Sequence, residues 1–222
     1  MADPVTVRIR WNPAFRIVPT RFPTIYLFDR IADPADFDAL YALEALTNDR
    51  IRDETGVIEL VSPDDRIAGP GSGPIMAAFT HIAPAGSRFS DGSYGVFYAA
   101  RLRATAVAET RYHQARFLAA TREAPMHLQM RLYHVRIDAS LHDLRDAGDA
   151  IHAADDYSAA RQMGRQLRAA GSAGVVYRSV RHEGGQCVGL FRPRGARACV
   201  HAAYLLYAWN GETIDGVYER TD

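Results

Sequence analysis

The chain is expected to fold as an α+β protein with a mainly antiparallel sheet. Four segments at the end of the sequence, 174–180, 186–191, 198–207 and 213–218, read as strands and follow one another directly. Strands joined that way pair antiparallel, because a parallel pair needs a long crossover between its members. No linker long enough to separate two domains interrupts the 222 residues, so one domain covering 1–222 is expected.

The first element is AFRIVP at 14–19, a strand by its apolar and β-branched content. Asp33-Pro34 then opens a helix to about residue 46. Pro34 suits the first turn, and Phe37, Leu40, Tyr41 and Leu43 recur at helical spacing. A strand is expected at 57–61, then a loop rich in proline and glycine through Pro74 and a short helix at 75–81. Residues 84–95 form a polar glycine-rich loop, 96–99 a strand, 105–121 a helix, 128–137 a strand and 158–170 a helix.

Composition narrows the function. Hydrophobic content of 48% and charged content of 23% are ordinary for a globular protein. The 26 cations are all arginine, matched by 26 acids, so no overall field attracts nucleic acid and direct binding to it is not expected. The start MADPVTVRIRW lacks a basic segment followed by an apolar run, and no apolar stretch reaches bilayer length; a cytoplasmic location without membrane attachment is expected. Two cysteines, Cys187 and Cys199, cannot make a disulfide framework or a four-thiolate zinc site. They flank RPRGAR, and a hairpin turning there would set them opposite each other, as reduced core thiols in a cytoplasmic protein.

Most motif matches fail on inspection. GPGSGP at 69–74 carries two prolines and precedes only a short helix, so it reads as a surface loop, not a dinucleotide fingerprint. The eight histidines show no H-E-x-x-H or paired spacing, which argues against zinc. No G-x-S-x-G elbow is present. What remains is a set of four: Arg88 in the glycine-rich loop, Tyr98 on the next strand, Glu109 in the following helix, and Ser179 after a distant strand. Singly, each has an ordinary structural explanation, and physics alone does not bring them together.

The segment GSRFSDGSYGVFYAARLRATAVAET (86–110), with VVYRSVRHEGGQCVGLFRP (175–193), resembles the RES domain family, named for its arginine, glutamate and serine. FRIVPTRFP is similar to the family's N-terminal arginine segment, so the likeness runs from Phe15 onward. The resemblance implies a core like that of ADP-ribosyltransferases, two small packed sheets around an NAD cleft, with 81–218 as the core and 1–80 as an N-terminal extension carrying the first arginine segment. It implies a toxin of a type II toxin–antitoxin pair that cleaves NAD at the nicotinamide–ribose bond by hydrolysis or phosphorolysis. ADP-ribosyl transfer onto a protein, and a non-catalytic NAD-binding module, are the alternatives. NAD is then substrate, and no separate cofactor is expected. A cognate Xre-type antitoxin is the implied partner, with a homo-oligomer or a toxin–antitoxin complex both open. By the same resemblance Glu109 would stabilise the oxocarbenium-like sugar. Arg88 and one of Arg16 and Arg21 would hold the diphosphate. Tyr98 would face the nicotinamide ring, and Ser179 would bond the nicotinamide amide or a ribose hydroxyl. Two additions, the N-terminal helix and 138–166, depart from compact family members and are expected to bear on partner contacts without touching the site.

Overall fold

The computed structural model describes residues 5–22, 29 and 56–220. Seven strands make one hydrogen-bonded sheet: β1 (Thr6–Pro19), β2 (Phe97–Ala100), β3 (Met126–Asp143), β4 (Gly174–Arg178), β5 (Gln186–Leu190), β6 (Ala196–Trp209) and β7 (Ile214–Glu219). Their order is β1-β2-β5-β4-β3-β6-β7, and β1 also pairs with β3. That extra pairing closes β1, β2, β5, β4 and β3 into a ring, with β6 and β7 extending from β3. The expected antiparallel α+β class holds. The only parallel pair among the described residues is β3–β4, which meet at His142↔Val175 and Asp143↔Val176. The two packed sheets of the expectation are parts of one continuous sheet.

Sheet residues alternate between two apolar clusters. Phe97, Ala99, Val176, Val188 and Leu190 enter one, and Ala100, Val175, Tyr177 and Cys187 the other. Burial on both faces explains why β4 reads as the unbroken apolar run VVY rather than as an alternation. Each such side chain contributes about 1.5–3 kcal/mol relative to exposure. In β1 the register against β3 slips between Trp11 and Ala14, where Pro13 has no N–H for the ladder. Ile9 and Trp11 before the slip share a cluster with Ala14 and Val18 after it. The slip therefore exchanges odd for even positions and turns Arg16 toward the Phe97 side, where its guanidinium lies 4.4 Å over that ring.

Three helices accompany the sheet: α1 (Gly73–Thr80), α2 (Arg103–Thr121) and α3 (Ser158–Ala169). α2 starts two residues earlier than the sequence suggested and ends where Arg122 turns left-handed, with φ of 54°. Thr105, Ala106 and Leu118 are its buried residues, and Thr110 Oγ lies 2.7 Å from the Tyr207 hydroxyl in the core. α3 packs so closely on residues 84–95 that a Cβ added at Gly164 would fall 2.2 Å from the Phe89 carbonyl oxygen.

Several expectations change. Residues 57–61 are not a strand: Ile58–Leu60 is a single 3₁₀ turn whose Ile58 and Val61 pack into the core beside α1. No strand among the described residues pairs with this run; the Val57 amide donates to the Thr80 carbonyl at 2.9 Å, and the Leu60 and Val61 amides bond within the turn. β3 runs six residues beyond the expected end, because Ala139 and Leu141 keep alternating inward past Asp138. Cys187 and Cys199 are buried free thiols, but they face different clusters on strands that do not pair, so RPRGAR is a crossover and not a hairpin. Burial pushes the Cys199 thiol up to about 12. The helix expected from Asp33 to about residue 46 lies outside the described residues.

Candidate functional site

A cavity of about 750 Å3 is lined by residues of β1, β2 and α2, by the loop 84–95 and by residues 155–161. Arg16, Arg88, Tyr98 and Glu109 all line it. That volume falls within the roughly 300–1,000 Å3 of small-molecule sites. Ser179 does not line the cavity itself but donates from Oγ to Glu109 Oε1 at 2.5 Å. Arg21 is elsewhere, exposed, with its guanidinium 4.6 Å over Phe117 and 5.1 Å over Phe22. Of the two N-terminal arginines only Arg16 belongs to the cavity.

The helical repeat explains the carboxylate wall. Glu109, His113 and Arg116 are spaced four and three residues apart, so one stripe of α2 faces the cavity. Thr110, beside Glu109, is tied to Tyr207, which fixes the helix rotation. Ser179 Oγ accepts hydrogen bonds from the amides of Arg181 and His182, both at 3.1 Å. With those lone pairs occupied, its single proton points to Glu109, so Ser179 orients a carboxylate and is not set up as a nucleophile. The same turn is pinned to the first turn of α2, where Thr105 Oγ meets His182 Nδ1 at 2.9 Å. Burial lowers the pKa of His113, opposed by the charge of Glu109, and the nearby Arg181, Arg88 and Arg116 lower it further.

The cationic wall is less expected. Arg88 is buried, at 7% exposure, and makes no ion pair among the described residues. Its Nη1 donates to the carbonyls of Ile151 (3.2 Å) and Ala153 (2.9 Å). Arg16 donates from Nη1 to the Tyr98 carbonyl at 3.0 Å, while its buried Nε has no partner. Desolvation lowers the Arg16 pKa. A buried guanidinium and a half-buried one with no counter-charge among the described residues are costly, and an anionic ligand in the cavity would satisfy them. Tyr98 uses its hydroxyl on the loop: it accepts from the Phe89 amide at 3.0 Å and lies 2.8 Å from Ser87 Oγ. Burial pushes its pKa up to about 12, so it stays neutral as an anchor for the residues around Arg88.

Residues 138–166 were expected to leave the site alone, yet Asp155, Asp156, Tyr157, Ser158 and Arg161 line the cavity. Asp155 accepts from the Tyr112 hydroxyl and pairs with Arg181 and Arg116, and Asp156 accepts from the Ser158 amide at the start of α3. Both acids are therefore committed to several local contacts, whereas Glu109 accepts only from Ser179 among the described residues. Arg161 donates to the carbonyls of Ser87 and Ala85, just ahead of Arg88 in the glycine-rich loop. His113 and Arg116 were legible from their spacing to Glu109; Tyr157 and Arg161 carried no local signal. The GPGSGP loop does not reach this cavity, and its helix N-terminus is already filled, since Asp29 accepts from the Gly73 amide at 2.7 Å.

Among the described residues no helix is long and apolar enough to cross a membrane. A relative from Sinorhizobium fredii (strain NBRC 101917 / NGR234), the uncharacterized protein y4oC, is 26% identical over 208 residues, covering 94% of this chain and 87% of its own. A chain of the crystal structure of the M. tuberculosis MbcT–MbcA toxin–antitoxin complex aligns over 93% of this chain and 87% of its own, at 13% identity and a TM-score of 0.48. The RES domain model matches residues 64–210, a span that holds Arg88, Tyr98, Glu109 and Ser179 together with the segment that completes their cavity. With that match covering most of its length, the chain belongs to the RES domain family.

Proposed function

We propose that the protein is the toxin of a type II toxin–antitoxin pair and cleaves NAD at the nicotinamide–ribose bond. One observation carries the reading: a single cavity holds an oriented carboxylate, Glu109, with the buried guanidinium of Arg88 and the half-buried one of Arg16, neither ion-paired among the described residues. Nicotinamide attached to ribose as a cation is already a good leaving group. Its departure leaves a positively charged sugar, so the reaction asks for negative charge near the ribose rather than for a strong acid. Glu109 supplies that charge, and Ser179 keeps one carboxylate oxygen in place. The guanidiniums hold the diphosphate by charge-assisted bonds. Glycoside hydrolysis, by contrast, needs a second carboxylic acid to protonate its leaving oxygen; here the other two acids of the cavity are tied to Tyr112, arginines and the α3 start.

Family membership supports the toxin part of the reading, with an antitoxin of the Xre type as the partner. Water or phosphate is the acceptor on this reading. The test is a time course of NAD and released nicotinamide with the purified chain and its Glu109→Gln variant. Glutamine keeps an oxygen for Ser179 to donate to, removes the charge and exchanges the second oxygen for an NH2 group. Loss of an electrostatic stabiliser of this kind lowers turnover on the order of a hundredfold or more. A variant as fast as the parent sinks the assigned role of Glu109, and a parent that turns over no NAD sinks the reaction.

A further inference from the structure

The geometry points to Tyr157 as a positioning residue that holds the Arg88 guanidinium in place as the anion clamp of the cavity. The inference rests on reading the cavity as a diphosphate site. Arg88 leaves the glycine-rich loop, but every contact that fixes its head group comes from residues 151–157. Nη1 spends both of its protons on the Ile151 and Ala153 carbonyls, and the guanidinium plane lies 4.4 Å over the Tyr157 ring. A guanidinium carries five N–H donors. The three on Nε and Nη2 make no hydrogen bond to the described residues, and they form the edge that a phosphate oxygen pair accepts in bidentate fashion.

Rotation about the Nη1 hydrogen bonds would swing that edge away from the cavity, and the aromatic face blocks the swing. A long side chain fixed in advance loses less freedom when it binds. The Tyr157 hydroxyl makes no hydrogen bond to the described residues, so the ring and not the oxygen performs this task. Tyr157 sits at the N-terminal end of α3, four residues before Arg161, which flanks the same ring at 6.0 Å and holds the backbone leading into Arg88 through the Ala85 and Ser87 carbonyls. Residues 151–157 thus determine how the anion-binding arginine is presented.

The experiment titrates ADP-ribose, which keeps the diphosphate and lacks the scissile bond, into the full chain by calorimetry, beside steady-state NAD cleavage. The variants are Tyr157→Ala, Tyr157→Leu, Tyr157→Phe, Arg88→Ala and the double Tyr157→Ala/Arg88→Ala. Tyr157→Ala and Tyr157→Leu weaken ADP-ribose binding and raise KM for NAD by about tenfold, with kcat within about twofold, as loss of a cation–π contact predicts. Tyr157→Phe stays within about twofold of the parent, because it keeps the ring. The double variant binds no worse than Arg88→Ala, since the two residues act as one unit. Unchanged affinity in Tyr157→Leu, damage by Tyr157→Phe equal to that by Tyr157→Ala, or additive losses in the double variant would each overturn the inference. So would a parent chain that fails to bind ADP-ribose. A parent that binds ADP-ribose but leaves NAD intact refutes the proposed reaction, while the same ranking of variants in binding still upholds Tyr157.

Discussion

Glu109 and Tyr98 reach the cavity from elements fastened to the core, α2 through Thr110 on Tyr207 and β2 through its ladder with β5. Asp155 and Tyr157 reach it from residues 144–157, a stretch with no helix or strand of its own. Leu144 and Ile151 are its buried anchors. Otherwise it is held from outside by arginines: Arg88 on the carbonyls of Ile151 and Ala153, Arg181 on Ala154, Arg178 on Asp149. One wall is therefore set by packing and the other by polar contacts, to backbone carbonyls and to the carboxylates of Asp149 and Asp155. The packed wall carries the charge that the chemistry needs, where a displacement of an ångström is expensive. The tethered wall presents the groups that grip the ligand, and single substitutions there change binding without repacking the core.

This contrast can be broken at several points. The largest effect is expected at Ser179, which belongs to the packed wall through its bond to Glu109. Ser179→Ala leaves Glu109 without its donor and two amides without their acceptor, at about 1–3 kcal/mol. Turnover of NAD should fall on the order of tenfold to a hundredfold with KM little changed; a drop confined to KM would place Ser179 in ligand binding instead. Next is Gly164→Ala, which drives a methyl into the Phe89 carbonyl and separates α3 from the loop carrying Arg88. Overpacking of this kind costs about 1–3 kcal/mol, visible as a lower midpoint in urea. A variant of parental stability would show that α3 shifts freely against the loop.

A smaller effect is expected from His152, on the tethered wall. Burial lowers its pKa, and the charges of Arg178 and Arg88 lower it further, against the pull of the Ala147 and Gly148 carbonyls. A histidine whose folded pKa lies below its unfolded value of about 6.5 binds fewer protons when folded. Stability is then unaffected well above that value and declines as pH falls through it toward the folded pKa. His152→Gln should flatten the decline in Tm between neutral and mildly acidic pH; an unchanged profile would assign the decline to other groups, His113 first among them. Smallest of all is Arg21→Ala. An exposed arginine outside the cavity should alter stability by less than about 0.5 kcal/mol and leave NAD binding at the parental level. A marked loss of binding would return Arg21 to the site.

Legibility followed the range of the interactions. The strand 96–99 and the helix after it were readable because an aromatic and β-branched run, and then a long alanine-rich stretch without glycine or proline, are properties of neighbouring residues. Glu109, His113 and Arg116 share a stripe through their spacing of four and three residues on that helix. The run at 57–61 misled because apolar β-branched residues suit any buried extended backbone, and whether a partner strand lies beside it is not a local property. Arg16 and Arg21 could not be told apart, since a slip at Pro13 and a pairing with β3 decide which of them faces Phe97.

By itself the sequence determined the class of the fold, the balanced charge, and a family pattern naming Arg88, Tyr98, Glu109 and Ser179. Those follow from local periodicity and from residue identity. Only the tertiary structure decided that Ser179 serves Glu109, that Tyr98 anchors a loop, and that residues 151–161 complete the cavity. Each of those depends on groups 9 to 74 positions apart meeting at hydrogen-bond distance. Such meetings are set by strand register and helix docking, and no window of neighbouring residues encodes them.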